Sequence, residues 1–380
     1  MELAFWLAAA VVLYSWLVYP ALIALLASVR PAPAVRRDEI EPPVTVLLVV
    51  RDEEAHLEDK LRNLVALDYP REKLEVLVVS DGSRDRTESI AAGFAGSGVR
   101  LLALAPPRGK ASCLNEAVPR ARGAILVMTD ARQALAEDAV RRLVACLGDP
   151  SVGAASGELH IVASPGRGPE SVGLYWKYEK LIRRAESRFD STVGVTGALY
   201  AVRKELFVPL DPRAILDDVL VPMEVVFAGY RVVFEPEARA WDRLAESPAH
   251  EYRRKVRTLA GNFQLLVLRP ALLDPLRNRL FFQLVSHKLT RLAVPWCLVL
   301  LLLASAALAL ASPHAFYRAA LGLQVLFYLL AAAGWIGRRE GRPSRLTSVP
   351  YTLVLLNLAA ASALLGIVRG TETAAWKAAP

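Results

Sequence analysis

Four stretches of this sequence are free of charge over about the length a helix needs to cross a bilayer, roughly 20 residues: Leu3 to Val29, Leu292 to Pro313, Ala319 to Gly337 and Leu346 to Val368. Any fold has to place them in lipid or bury them in a core. The last three lie close together and are bounded by arginines, and no span carries an ionisable residue in its middle. Their length and flanks favour lipid, and the missing ionisable residues argue against a channel or transporter. Only Glu2 precedes the first stretch, whereas a cleavable signal peptide carries a basic amino-terminal region, so an uncleaved anchor is expected. The apolar excess shows in the composition, with 54% hydrophobic residues and a mean hydropathy of +0.32.

Basic residues set the orientation. Arg30, Arg36 and Arg37 follow the first span, Lys288 and Arg291 precede the second, and Arg338, Arg339, Arg342 and Arg345 separate the third from the fourth, while the loop Ser312 to Arg318 holds a single arginine. This predicts a multi-pass protein of the cell (inner) membrane, its amino terminus outside and its polar region from about Arg30 to Arg291 in the cytoplasm. The net charge of +8 is concentrated between Ala249 and Arg291, beside a span. It suits anionic lipid head groups and phosphorylated substrates, and no nucleic-acid partner is expected. Cys113, Cys146 and Cys297 have neither disulfide-framework nor zinc spacing and read as small core residues. Oligomeric state is not legible.

The polar region alternates strand and helix signals. After a proline-rich linker, Val44 to Val50 is an unbroken β-branched apolar run closed by Asp52-Glu53-Glu54, with a helical pattern at Leu57, Leu61, Leu64 and Leu67. Leu74 to Val79 is the next strand, ending in the turn Ser80-Asp81-Gly82-Ser83, and Val99 to Ala103 a third, followed by Gly109-Lys110 and a helix. The fourth is Ala124 to Met128, which stops at Thr129-Asp130-Ala131-Arg132. Such alternation implies βαβ crossovers and a mostly parallel sheet, with acidic residues gathered at the carboxyl ends of the strands, where open sheets bind ligands. Farther on, Ser151 to Ile161 reads as a strand, Gly166 to Pro169 as a loop and Tyr175 to Arg188 as a helix. Val193 to Ala201 reads as a glycine-containing strand, and Asp217-Asp218 opens a helix reaching Phe227.

No Gly-x-Gly-x-x-Gly follows the first strand and no Walker pattern occurs, which argues against a dinucleotide oxidoreductase or an ATPase. Carboxylates holding Mg²⁺ or Mn²⁺ are the remaining way to grip a nucleotide diphosphate, and Asp130 is the candidate ligand. The alternative for Asp130 is the N-cap of a helix from about Leu135 to Cys146, and for Asp217 and Asp218 the caps of theirs.

Taken together, these motifs resemble a membrane-anchored inverting glycosyltransferase of family two, related to cellulose- and hyaluronan-synthase-like enzymes. The resemblance implies the GT-A fold, an α/β nucleotide-sugar-binding domain, over roughly Val44 to Gln264. It also implies that Asp52, Glu54, Asp81, Gly82 and Ser83 hold the nucleotide, with Lys110 and Asn115 near the diphosphate. Asp130 resembles the first aspartate of a metal-binding Asp-x-Asp, Arg132 standing at its second position. Asp217-Asp218 resembles the Glu-Asp pair before a helix that ends in Gly-Tyr-Arg, here Gly229-Tyr230-Arg231, which makes Asp218 the general base and Asp217 its neighbour. An inverting transfer requires one such carboxylate to take the acceptor's proton.

On the acceptor and diphosphate side stand Gly197, Arg254 and Arg257. Where processive synthases carry Gln-x-x-Arg-Trp, this chain has Arg254-Lys255-Val256-Arg257-Thr258, which keeps an arginine but loses the glutamine and the sugar-stacking tryptophan. The expected partners are a nucleotide-diphospho-sugar donor, a lipid-linked or polysaccharide acceptor, and membrane lipids. The alternatives are a processive polysaccharide synthase and, favoured only by Arg132, a catalytically silent GT-A scaffold. The expected division is an anchor over 1–29, a linker over 30–43, the GT-A domain over 44–268, an interfacial amphipathic segment over 269–291 and three spans over 292–370.

Overall fold

The computed structural model describes residues 1–162, 170–243, 248–340, 342 and 344–370; the loop expected over Gly166 to Pro169 lies outside them. Among the described residues four helices are long and apolar enough to cross a membrane: α1 (Glu2–Val29), α9 (Phe281–Ala311), α10 (Ala315–Arg339) and α11 (Arg345–Val368). The helix of the second span starts at Phe281, so the last part of the segment expected to lie in the interface is continuous with that span.

Between them lies one eight-stranded sheet of β1 (Val44–Val50), β2 (Leu74–Asp81), β3 (Val99–Leu104), β4 (Ile125–Thr129), β5 (Ala134–Leu135), β6 (Val152–Val162), β7 (Leu199–Arg203) and β8 (Arg231–Arg243). The order is β3-β2-β1-β4-β7-β6-β8-β5. The first four in that order pair in parallel, whereas β7 runs antiparallel to both β4 and β6, so the sheet is mixed. Every residue of β1 is buried, as its unbroken apolar run requires of a strand covered on both faces. Successive side chains of a strand point to opposite faces. Val44, Val46 and Leu48 therefore pack in one cluster with α2 (Leu57–Val65), α3 (Thr87–Gly93) and α5 (Ala139–Cys146), and Leu47 and Val49 with α4 (Lys110–Ala117) and α7 (Asp217–Phe227).

Register positions the site. Val50 lies opposite Ser80, and Leu48 opposite Thr129, so the turns after β1, β2 and β4 share one edge. Because β7 is antiparallel, with Leu199 opposite Thr129, the residues before β7 come to that same edge. The glycine-containing strand expected from Val193 is shorter than its sequence suggests. Residues 193–198 are irregular, because the Val195 amide donates to the Asp218 carbonyl at 2.9 Å and the Thr196 amide to Ser156 Oγ at 3.1 Å instead of to a strand partner.

The remaining helices join the sheet to the spans. α6 (Glu170–Phe189) packs Ile182 against Tyr19 and Ile23 of α1. α8 (Pro248–Leu268) packs Val256 and Ala260 against Ala359 and Ala363 of α11, with a 2.8 Å hydrogen bond between the Tyr252 and Ser362 hydroxyls.

Candidate active site

Asp130 follows β4 but does not cap α5, which begins only at Ala139 and has Asp138 at its N-cap position. Its carboxylate is half exposed, and Lys110 Nζ donates to its Oδ1 at 3.1 Å. The same ammonium lies 3.1 Å from Asp217 Oδ2, at ion-pair distance but outside hydrogen-bond geometry, so that oxygen has no hydrogen-bond partner among the described residues. Burial works against the charge on Lys110, but Asp130, Asp217 and Asp218 outweigh it and hold the ammonium above its ordinary range.

Asp217 and Asp218 occupy the first turn of α7, where the helix dipole favours anions, and neither side chain caps it. A Cβ placed on Gly197 would meet Asp218 Oδ2 at 3.6 Å and Asp130 Oδ2 at 3.8 Å. The bare backbone of Gly197 thus lies beside the two carboxylates that the sequence assigns to opposite sides of the reaction. Burial first, then the charge on Asp217, push the Asp218 carboxyl up to about 6 against the opposing pull of Lys110, Lys288 and Arg183.

The two acidic turns are laced together. Asp52, in a left-handed conformation with φ of 52°, accepts the Arg84 amide at 2.7 Å, and its own amide donates to Ser83 Oγ at 3.2 Å. Glu54 accepts the Arg86 amide at 3.1 Å. Gly82 also has positive φ, and a Cβ there would press within 2.9 Å of the Pro107 ring. Asp81 is buried and accepts the amides of Arg108 and Gly109 at 2.6 and 2.9 Å, which orients the start of α4 and hence Lys110. Asn115 exchanges hydrogen bonds with the backbone of Leu210 at 2.7 and 2.8 Å, so it clamps the segment leading to α7. Arg132 is exposed. Arg254 lies 3.7 Å from Asp242, which accepts from Gln133 at 3.0 Å, tying α8 to the turn after β4, and Arg257 is half-buried one turn along α8.

Two residues that sequence reasoning passed over belong to this site. Lys60 is 3% exposed and donates to Thr129 Oγ1 at 2.8 Å and to the Gln133 carbonyl at 2.6 Å, bracing the Asp130 turn from beneath. Burial pushes its ammonium down to about 7, against the charge of Asp130. Its signal was a lysine on the apolar stripe Leu57, Leu61, Leu64. Tyr200 is fully buried, its hydroxyl has no partner among the described residues, and burial together with Asp217, Asp218 and Asp130 holds it well above its ordinary range.

The sequence profile described as glycosyltransferase like family 2 matches residues 42–261. The chain belongs to that family. It is 26% identical over 243 residues to the probable glycosyltransferase YdaM of Bacillus subtilis (strain 168), covering 60% of this chain and 57% of that one. It is 28% identical over 246 residues to the poly-beta-1,6-N-acetyl-D-glucosamine synthase of Staphylococcus aureus (strain COL), covering 63% and 59%. The chain thus spans less than two thirds of the length of these curated relatives. A mannosyltransferase, PcManGT from Pyrobaculum calidifontis, solved with GDP-Man and Mn2+, superimposes with a TM-score of 0.71 at 26% identity, over 95% of this chain and 99% of that one. The fold is GT-A, with one apolar helix before the family 2 domain and three after it.

Among the described residues no three His, Cys, Asp or Glu converge as a metal cage. The chemistry at Asp130 nevertheless fits a hard divalent cation: an accessible carboxylate whose Oδ2 faces the Gly197 gap while Lys110 takes Oδ1. One carboxylate suffices where phosphate oxygens and water complete the shell.

Proposed function

We propose that this family 2 chain is an inverting glycosyltransferase that moves a sugar from a nucleotide-diphosphate donor to a lipid-linked or polysaccharide acceptor at the cytoplasmic face of the cell membrane. The observation that carries the reading is the approach of Asp218 and Asp130 across Gly197. Donor and acceptor would meet between them. As the acceptor oxygen bonds to the anomeric carbon on one face, the bond from that carbon to the diphosphate breaks on the other. Its electron pair leaves with the nucleoside diphosphate, and the acceptor proton passes to Asp218. Asp130 would hold a divalent cation that offsets charge on the leaving diphosphate. Lys110 is placed to move from the carboxylates to that phosphate. The turns at Asp52 and Asp81 form the adjoining rim, toward which the nucleoside would extend.

The relative that synthesises a polymer supports a second reading, a processive synthase. The missing tryptophan at Thr258 weighs against it. The test is Asp218→Asn in the membrane-embedded protein, assayed with a panel of nucleotide-sugars and a divalent metal. Transfer should fall by roughly three orders of magnitude or more, while nucleoside diphosphate still binds. Retained turnover rejects Asp218 as base, and long products from single binding events support the synthase.

A further inference from the structure

On α6, Glu179, Arg183 and Glu186 are spaced by four and three residues and share a helix face. That face is docked on the entry to the second span. His287 hydrogen-bonds Glu186 at 2.7 Å through Nδ1 and Glu179 at 3.1 Å through Nε2, and Arg291 pairs with Glu179. The next residue, Lys288, lies on the same wide π turn, Leu284–Leu289. The nearby carboxylates are engaged by other groups, although Oε2 of Glu186 has no hydrogen-bond partner among the described residues. Glu186 accepts from Tyr19 at 2.7 Å, and Glu158 is taken by Lys180 and Arg184 at 2.6 and 3.0 Å.

Arg183 and Lys288 are left over. Both are half-buried, and among the described residues neither makes a hydrogen bond or an ion pair. They repel each other, and both exert their charge on Asp218. Glu179, Asp218 and Glu186 attract Lys288 from beyond ion-pair distance, but two partly desolvated cations with no carboxylate in direct contact are costly unless an anion visits them. Arg183 lies on the α6 face that meets His287, and Lys288 follows that histidine on the turn leading into the second apolar helix.

We propose that Arg183 and Lys288 form an anion subsite that binds a phosphate or diphosphate group carried by the acceptor, with the rest of a lipid carrier lying in the bilayer beside α9. The assignment rests on the reading of this site as a glycosyltransferase and names its acceptor class. Arginine supplies a planar fork for phosphate oxygens, and lysine a point charge. Lys288 lies four residues before the charge-free stretch that begins at Leu292, and cations that flank a span sit at the level of lipid head groups.

The full chain in phosphatidylcholine nanodiscs, which hold no other anionic lipid, is titrated with a polyprenyl phosphate and with the same polyprenol lacking phosphate. The phosphorylated lipid should bind about tenfold tighter or better. The double variant R183Q/K288Q should lose that preference, and R183K/K288R should keep it, with melting curves reporting folding. Equal binding of the two lipids by the unaltered chain overturns the proposal without recourse to any variant, as does a preference undiminished in a folded double variant. Displacement of the lipid by millimolar inorganic phosphate assigns the site to the bare anion, and resistance to displacement assigns it to the lipid-carried group. The binding assay does not depend on turnover. Loss of activity in Asp218→Asn with no lipid preference therefore sinks the subsite alone, whereas lipid preference with full activity in Asp218→Asn sinks the base alone.

Discussion

A carboxylate in water is a weak base for a hydroxyl at neutral pH, and the surroundings of Asp218, the base we propose, move it in the useful direction. Burial and the charge on Asp217 raise it to about 6. A base must be unprotonated to act, so the rate should fall as pH drops through about 6. Asp217→Asn removes the like charge and should shift the acidic limb of the profile to lower pH. Profiles of kcat/KM for both proteins check this, and an unmoved limb would mean that Asp217 does not set the proton affinity. The like-charge pair was visible as two adjacent aspartates before a helix. The burial and the remote charges were not, because Lys110, Arg183 and Lys288 come to Asp218 only in the fold. Lys60 teaches the same lesson in reverse. A lysine on an apolar stripe is readable, but its role as a brace for Thr129 and Gln133 requires knowing that α2 lies beneath the end of β4.

The turn after β4 and the segment before β7 act as one element, since antiparallel pairing brings Leu199 opposite Thr129. Gly197→Ala tests that joint. Its Cβ would find only ordinary contacts at 3.6 and 3.8 Å, so stability should change by less than about 1 kcal/mol while the gap between the carboxylates narrows. Transfer should drop by about tenfold or more, as expected when reacting groups are displaced. A fall in melting temperature with unchanged specific activity would place the effect in packing. The contrast is Gly123→Ala, where a Cβ would lie 2.3 Å from the Thr45 amide nitrogen and the fold itself should suffer.

The same turn offers a cation one carboxylate, with exposed Arg132 beyond it. Mn²⁺ should therefore bind weakly to the protein alone and at least about tenfold more tightly with nucleoside diphosphate present, which calorimetric titration measures. Equal affinity in both states counts against a single-carboxylate site. The parallel strands and their acidic ends were legible because each apolar run stops abruptly at a polar turn. The irregular run before β7 was misread because its amides turn to Asp218 and Ser156, partners that alternation in the sequence cannot reveal.

At the scale of the whole molecule, α1 is a strut as well as a helix long and apolar enough to cross a membrane. Tyr19 in its middle donates to Glu186 of α6, and Tyr178 donates to the Trp16 carbonyl at 2.9 Å, so the amino-terminal helix, the sheet domain and the second span meet at one buried polar junction. Composition announced the spans, but these ties cross 101 to 167 residues of sequence and have no local signature. Burial disfavours ionised Glu179 and Glu186, yet Arg291 and His287 outweigh it at Glu179, and His287, the Tyr19 hydroxyl and Lys288 at Glu186, holding both carboxyls below their ordinary range. The stability they contribute is present above about pH 4.3, the value of an unfolded glutamate, and is lost as pH falls toward their folded values.

Removing one member of such a junction should cost more than the pair's net worth, because the others stay buried without their partner. His287→Ala, which strips a hydrogen bond from both carboxylates, should cost roughly 3–5 kcal/mol. Tyr19→Phe, which deletes a single donor to buried Glu186, should cost roughly 1–3 kcal/mol. Unfolding in detergent gives both numbers, and proteolysis of the linker over 30–43 reports whether the anchor has come away. If His287→Ala costs no more than Tyr19→Phe, the histidine is not the keystone of the junction, and the apolar contact of Tyr19 and Ile23 with Ile182 holds the anchor to the domain instead.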